Sequence, residues 1–285
     1  MDYAGFYINL DSKPGRRAAM ETELTRHGLG EKYARFAGTE GNALKFPNPH
    51  SLKDGVIGCF ASHCRLLEQN RAGGRHLHVV EDDAIFAACA PQTINRMIAA
   101  GRLDACDILY TDVSVPLRSD IYRMYKSMYG KAVTYDDAGA IKSVAFEVFN
   151  MKGMAYASAI SYLVNRKSIG KLHDLCAAEL ARGPSLPVDL FYRQKVEEGA
   201  LKAACLFPFV TSVNLDQVLQ SSIDGDLHKP TAVARLLGRY AFFVDCDWNR
   251  CEKYAKQFLS LPDDRQSRTL AHMLAYSLTD DYRLF

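Results

Sequence analysis

The chain has no long apolar run, no paired cysteines and no excess of either charge, and each absence removes a class of function. No stretch approaches the roughly 20 apolar residues that cross a bilayer. The start, MDYAGFYINLDSKPGRR, has neither the basic n-region nor the apolar h-region of a secretory signal. The eight cysteines, at 59, 64, 89, 106, 176, 205, 246 and 251, form no CxxC pair and show no zinc-ligand spacing. They read as reduced side chains that partly fill a core, and a reducing cytoplasm is the expected location. Lys plus Arg at 35 against Asp plus Glu at 33 leaves a formal charge of +2, so nucleic acid is not the expected partner. No internal repeat or low-complexity segment stands out. What remains is a globular composition, 48% hydrophobic and 24% charged, in 285 residues that can bury a large core.

Periodicity divides the first part of the chain into alternating strands and helices. GFYINL (5–10) reads as a buried strand, and Ala19, Met20 and Leu24 fit an amphipathic helix from Arg16 to about His27 that Gly28 stops. KYARFAGTEG reads as a short strand leaving through a turn, and the prolines of FPNPHSLKDG (46–55) mark a loop. Residues 55–74 place Ile57, Phe60, Ala61, Cys64 and Leu67 near helical spacing, with Gly73 and Gly74 closing the helix. RHLHVVEDD and ACDILYTDVSV (105–115) read as strands with a helix from about Pro91 to Ala100 between them. Strand, helix, strand in that order predicts a parallel sheet in an α/β domain, with ligands at the carboxyl ends of its strands.

The pattern weakens after residue 115. Segment 118–150 holds four tyrosines and many basic residues without a clear period and reads as a hairpin or lid. Order returns at 155–183, a small-residue strand and then a helix from about Ser168. LKAACLFPFVTSV (201–213) reads as one further strand. From about Thr231 to Phe285 the pattern predicts two or three amphipathic helices, with Trp248 as a packing anchor.

The densest charge in the chain is the acid triplet Glu81-Asp82-Asp83, set directly after Leu77, Val79 and Val80. Adjacent carboxylates repel one another unless a cation or several donors sit nearby. In an extended strand Glu81 and Asp83 face one way and Asp82 the other; once the chain turns, Asp82 and Asp83 can converge. Hard oxygen ligands of this kind suit Mg2+ or Mn2+, with substrate phosphates completing the shell. The competing interpretation is a solvated strand end that caps a following helix.

Three other elements accompany the triplet: Ile8–Asp11 with Arg16 and Arg17, the stretch GVIGCFASH from Gly55 to His63, and Pro187-Val188-Asp189. In this order and at these distances the set resembles glycosyltransferase family 25, over roughly residues 3–225. The family includes bacterial lipooligosaccharide galactosyltransferases and collagen galactosyltransferase domains. The resemblance implies a GT-A-like, Rossmann-like α/β nucleotide-sugar domain with a central, mostly parallel sheet over residues 1–230. Residues 116–150 are then a candidate acceptor lid rich in sugar-stacking tyrosines, and 231–285 a C-terminal helical extension packed on the domain.

It also implies a UDP-sugar donor, commonly UDP-galactose, and a saccharide or glycolipid acceptor. Asp83, with Glu81 or Asp82, would hold Mn2+ (or Mg2+) against the donor diphosphate. Asn9 and Asp11 would face uracil and ribose, and Arg16 or Arg17 would fork onto phosphate or uracil oxygens. Ser62 and His63 would flank the donor pocket, although a lone helical histidine also reads as a buried residue tying helix to sheet. Ser221 and Ser222 match the family's later polar segment loosely, and His228 or Asp226 would complete the metal shell by fold-level analogy.

Asp189, behind Pro187 at a helix start, is the expected base of an inverting transfer; an ordinary N-terminal cap is the plainer reading. Two further functions use the same acids, a metal-dependent phosphoesterase and a non-catalytic carbohydrate- or partner-binding module. The basic, aromatic C-terminal helices are compatible with peripheral contact to a membrane.

Overall fold

The structure is a computed structural model that describes residues 3–44, 46–128, 133–135, 141–218, 230–258 and 264–277. Its first half runs β1 (Tyr3–Asn9), α1 (Pro14–Arg26), β2 (Tyr33–Ala37), α2 (Asp54–Asn70), β3 (His76–Glu81), β4 (Ala84–Phe86), α3 (Ala90–Ala99), β5 (Ile108–Tyr110) and α4 (Arg118–Met128). There follow β6 (Val133–Tyr135), β7 (Ile141–Val144), β8 (Glu147–Asn150), β9 (Ser161–Val164), α5 (Ile169–Arg182) and α6 (Val188–Glu197). The last elements are β10 (Ala203–Phe207), β11 (Thr211–Val213), α7 (Leu215–Val218), α8 (Pro230–Ala241), α9 (Trp248–Phe258) and α10 (Arg265–Ser277).

Seven strands form the central sheet in the order β2-β1-β3-β9-β5-β10-β8. Five of them share one direction, while β9 and β8 run against their neighbours. The sheet is therefore mostly parallel, with one difference from the sequence expectation. β3 and β5 point the same way but do not touch, because β9 inserts antiparallel between them.

Strand residues alternate between two cores. Val79, Tyr162, Ile108 and Tyr110 face a layer of α2, α5 and α6 residues such as Phe60, Leu172 and Phe191. Val80, Leu163 and Leu109 face the other layer, where Met20, Leu24, Ile94 and Leu237 come from α1, α3 and α8. With helices on both faces of the sheet, β3 and β9 are buried at nearly every position rather than at every other one.

Local chemistry accounts for the other departures. The stretch 201–213 is two strands, not one: Pro208 has no N–H to give a ladder, and the chain leaves the sheet there to pair β11 with β4. Segment 118–150 begins as a helix, continues as the β6/β7 hairpin and ends as β8 at the edge of the central sheet. Trp248 is 55% exposed and anchors no core. All eight cysteines are free thiols.

The carboxyl ends of β1, β3 and β5 point to the same edge of the sheet, bringing Asn9, Glu81 and Thr111 to one rim. α2 is drawn against this rim by two glycines. A Cβ on Gly58 would lie 2.4 Å from the Thr39 carbonyl oxygen, and one on Gly41 would lie 1.7 Å from that of Asp54. This close approach presents Cys59, Ser62 and His63 to the strand ends.

Candidate active site

Two cavities open at the rim and meet at Glu81 and Cys59. The first, about 390 Å³, is lined by Asn9, Ser12, Lys13, Arg16, Glu40, Ser62, His63 and Asp82 among others. The second, about 490 Å³, is lined by Asp83, Ser158, Asp189, Arg235 and Arg239 as well as apolar residues of α2, α6 and α8.

The acid triplet splits between them. β3 ends at Glu81, and the chain turns through Asp82 and Asp83 before β4, so those two carboxylates converge. Arg16 bridges them, one guanidinium nitrogen 2.8 Å from Asp82 and the other 2.7 Å from Asp83. Asn9, buried at the end of β1, donates to Asp82 at 2.7 Å and accepts from Arg35 at 3.0 Å. Burial raises the Asp82 carboxyl against the lowering pull of Arg16. Asp83 is pushed up to about 6, by burial and then by the charge of Glu81. Its Oδ1 is buried with no hydrogen-bond partner among the described residues. An orphaned carboxylate oxygen beside two other acids is a donor set that a hard divalent cation fits.

Glu81 turns the other way. Its Oε1 lies 3.4 Å from His63 Nε2 and 3.6 Å from Cys59 Sγ. Burial alone would raise this carboxyl, yet the contacts from His63 and Cys59 and the charge of Arg16 hold it below its ordinary value. His63 is fully buried, with Nδ1 2.7 Å from the Tyr162 hydroxyl. Ser62 donates to the Gly58 carbonyl at 2.7 Å and accepts the Thr39 N–H at 2.8 Å, so it ties α2 to the loop at the rim.

Asp189 lies in the first turn of α6, behind Pro187, and faces the second cavity opposite Asp83. It accepts the Leu190 N–H at 2.8 Å, and burial raises its carboxyl, with Glu81 adding to the effect. Of the remaining sequence candidates, Arg17 pairs with Glu21 along α1 and Asp11 pairs with Arg35 at 2.5 Å. Neither lines either cavity. Ser221, Ser222, Asp226 and His228 lie outside the described residues.

Two residues lie outside every motif, and a third, Cys59, lies within the α2 motif without an assigned role. Arg239 of α8 reaches across the second cavity to the fully buried Asp112, just past β5, and donates to Ser158 at 2.7 Å. Asp112 keeps a buried Oδ2 without a partner among the described residues, and burial raises its carboxyl despite the arginine. Nothing local in the sequence joins residues so far apart. Cys59 is different: it lies four residues before His63, and that i, i+4 spacing on a predicted helix was the available signal.

Comparison with known proteins settles the relationship. No curated protein matches the chain in sequence. Among solved structures it is similar to A197 from STIV, with 13% identity, 73% of this chain and 85% of that one covered, and a TM-score of 0.35. It is similar to the apo form of mouse xyloside xylosyltransferase 1 at 10% identity, covering 70% and 84%, with a TM-score of 0.36. It is also similar to galactosyltransferase LgtC in complex with donor and acceptor sugar analogs, at 12% identity, covering 91% and 98%, with a TM-score of 0.33. Likenesses this distant do not bear on the chemistry. The family model does: that of glycosyltransferase family 25, described as an LPS biosynthesis protein, matches residues 4–192. That span takes in most of β1, the α2 motif, the acid triplet and Asp189, so the chain belongs to glycosyltransferase family 25 and is a glycosyltransferase built on a mostly parallel α/β sheet.

Proposed function

We propose that this enzyme is a divalent-metal-dependent, inverting hexosyltransferase that uses a UDP-sugar, with UDP-galactose as the expected donor. The acceptor is a saccharide or glycolipid glycan such as lipooligosaccharide. The observation that carries this reading is the pairing of Asp83, with its unpartnered buried oxygen, and Asp189 on one cavity.

Asp83, together with Asp82, would hold Mn2+ or Mg2+. Bound there, the cation supplies neutralisation of the charge that develops on the departing nucleoside diphosphate. Every other task falls to the protein. Arg16 sits on both carboxylates and would be placed to pair with the diphosphate once a cation neutralised them. Asn9 holds Asp82 in register with the end of β1. Asp189, raised by burial, takes the proton of the acceptor hydroxyl as that oxygen attacks the anomeric carbon. Its position on α6 fixes it through the Leu190 N–H and away from the triplet's own strand. The segment 116–150 is the proposed acceptor lid, and residues 231–285 the extension that closes the second cavity through Arg235 and Arg239.

Among the described residues no helix is long and apolar enough to cross a membrane. Action from the cytoplasm on a membrane-borne acceptor is the proposed setting, and the exposed Trp248, Leu270 and Met273 of α9 and α10 support peripheral contact there.

Thermal unfolding in the presence of ligands tests the donor assignment. UDP with Mn2+ should stabilise the protein more than either alone, by about 2.7 kcal/mol at a hundredfold excess over Kd. Asp83→Ala should abolish that synergy without loss of fold. Silence of UDP with Mn2+ on the intact protein would remove the reading.

A further inference from the structure

We propose that Cys59, His63 and Glu81 form a metal site of their own, distinct from the Asp82–Asp83 pair, that takes Zn2+ through thiolate, imidazole and carboxylate. The inference stands independently of the donor assignment, since it rests on three side chains and their spacing. Cys59 and His63 lie four residues apart on α2 and share one helix face, and the end of β3 brings Glu81 against them. The three ligand atoms all lie within 4.8 Å of one another.

The separations are those of a coordination shell. Cys59 Sγ is 3.6 Å and His63 Nε2 is 3.4 Å from Glu81 Oε1. Tetrahedral zinc, with bonds of about 2.3 Å to sulfur and about 2.0–2.2 Å to nitrogen and oxygen, sets its ligands roughly 3.3–3.6 Å apart. As a hydrogen bond the histidine contact is long, since N–H···O pairs centre near about 2.9 Å. The His63–Glu81 pair therefore stands at ligand spacing rather than at the optimum for sharing a proton, and Cys59 Sγ lies within 4.8 Å of both.

The surroundings fit the same assignment. His63 Nδ1 lies 2.7 Å from the Tyr162 hydroxyl. With Nδ1–H donating to that oxygen, the Nε2 lone pair faces the cluster, and Tyr162 is the outer partner that metal-bound imidazoles require. Cys59 and Glu81 both line the two cavities, so a bound ion keeps a fourth position open to solvent or ligand. Ligand softness separates this site from its neighbour: thiolate and imidazole select zinc, whereas Asp82 and Asp83 offer only the hard oxygens that suit manganese or magnesium. Binding releases the Cys59 thiol proton to solvent. The sequence lacks paired zinc-ligand spacing because the third ligand comes from a strand, not from a second motif on the helix.

Co2+ titration of the reduced, full-length protein tests the site. One equivalent should produce thiolate-to-cobalt charge-transfer absorption in the near ultraviolet, and Zn2+ should remove it. Cys59→Ala and Cys59→Ser should lose the absorption, while Cys64→Ala, altered one turn along the same helix, and Asp83→Ala should keep it. Circular dichroism of each variant separates loss of the site from loss of the fold. Absence of charge transfer in the unaltered protein, or its persistence without Cys59, would overturn the proposal. Its loss in Asp83→Ala would overturn the separation of the two sites.

Discussion

The two cavities that meet at Glu81 are assembled from very different lengths of chain. Residues lining the first come from 8–82: the end of β1, the start of α1, the loop after β2, α2 and the end of β3. Residues lining the second reach from Gly55 to Arg239, and its far wall is α8. The first is a strand-end crevice, the place where parallel α/β sheets gather ligands by their own geometry. The second exists only because α6 and α8, from the later part of the chain, pack over strands and a helix of the first part. The first cavity is thus built from nearby stretches of chain, and the candidate base is supplied from a distance.

The largest effect should come from the second cavity. Asp189→Asn should lower transfer by about 10²–10⁴-fold while leaving stabilisation by UDP and Mn2+ intact. The pH profile carries the same information. Asp189 acts only when ionised, and burial raises its carboxyl, so kcat/KM should fall as pH drops through a value above the ordinary Asp range. If the variant transfers normally, the division of labour between the cavities fails.

The far wall can be broken separately. Arg239→Ala leaves Asp112 fully buried without its cation and should cost about 3–5 kcal/mol, read as a lower urea midpoint. Replacing both partners, as in Arg239→Met with Asp112→Leu, should recover most of that loss, because no charge is then stranded.

Beneath both cavities runs a buried polar chain, in which His78 contacts Tyr33 and Ser161, and Thr111 contacts Ser161 and Thr211. Burial lowers the His78 imidazole to about 3. Between that value and about 6.5 the unfolded chain binds a proton that the folded one refuses, so stability falls as pH falls through this window. The loss should reach about 2 kcal/mol at pH 5, and His78→Gln should flatten that part of the unfolding profile. The smallest effect belongs to Arg17→Ala. Arg17 pairs with an exposed glutamate outside both cavities, so stability should move by less than about 0.5 kcal/mol and UDP binding should not change.

Legibility followed the same division. The triplet, Asn9 and Asp189 could be placed because each sits at the end of an element whose period is clear, and His63 because it lies on the clearly periodic α2. Arg16 and Arg17 were indistinguishable in the sequence, since both occupy the first turns of α1. The fold aims one at Asp82 and Asp83 and the other at Glu21. Asp112 and Arg239 were invisible because an ion pair spanning 127 positions leaves no local pattern. The insertion of β9 between β3 and β5 was equally hidden: strand order depends on which edges meet, and edge pairing carries no signature in a single strand.

The sequence by itself determined the α/β class, the family and the acid-rich end of β3, because hydrophobic period and motif spacing are properties of short segments. The tertiary structure decided which acid faces which cavity, that Cys59 joins His63 and Glu81, and that α8 closes the site. Those outcomes depend on side chains from distant segments competing for the same buried space, where an unpartnered charge is costly and only packing chooses the partner.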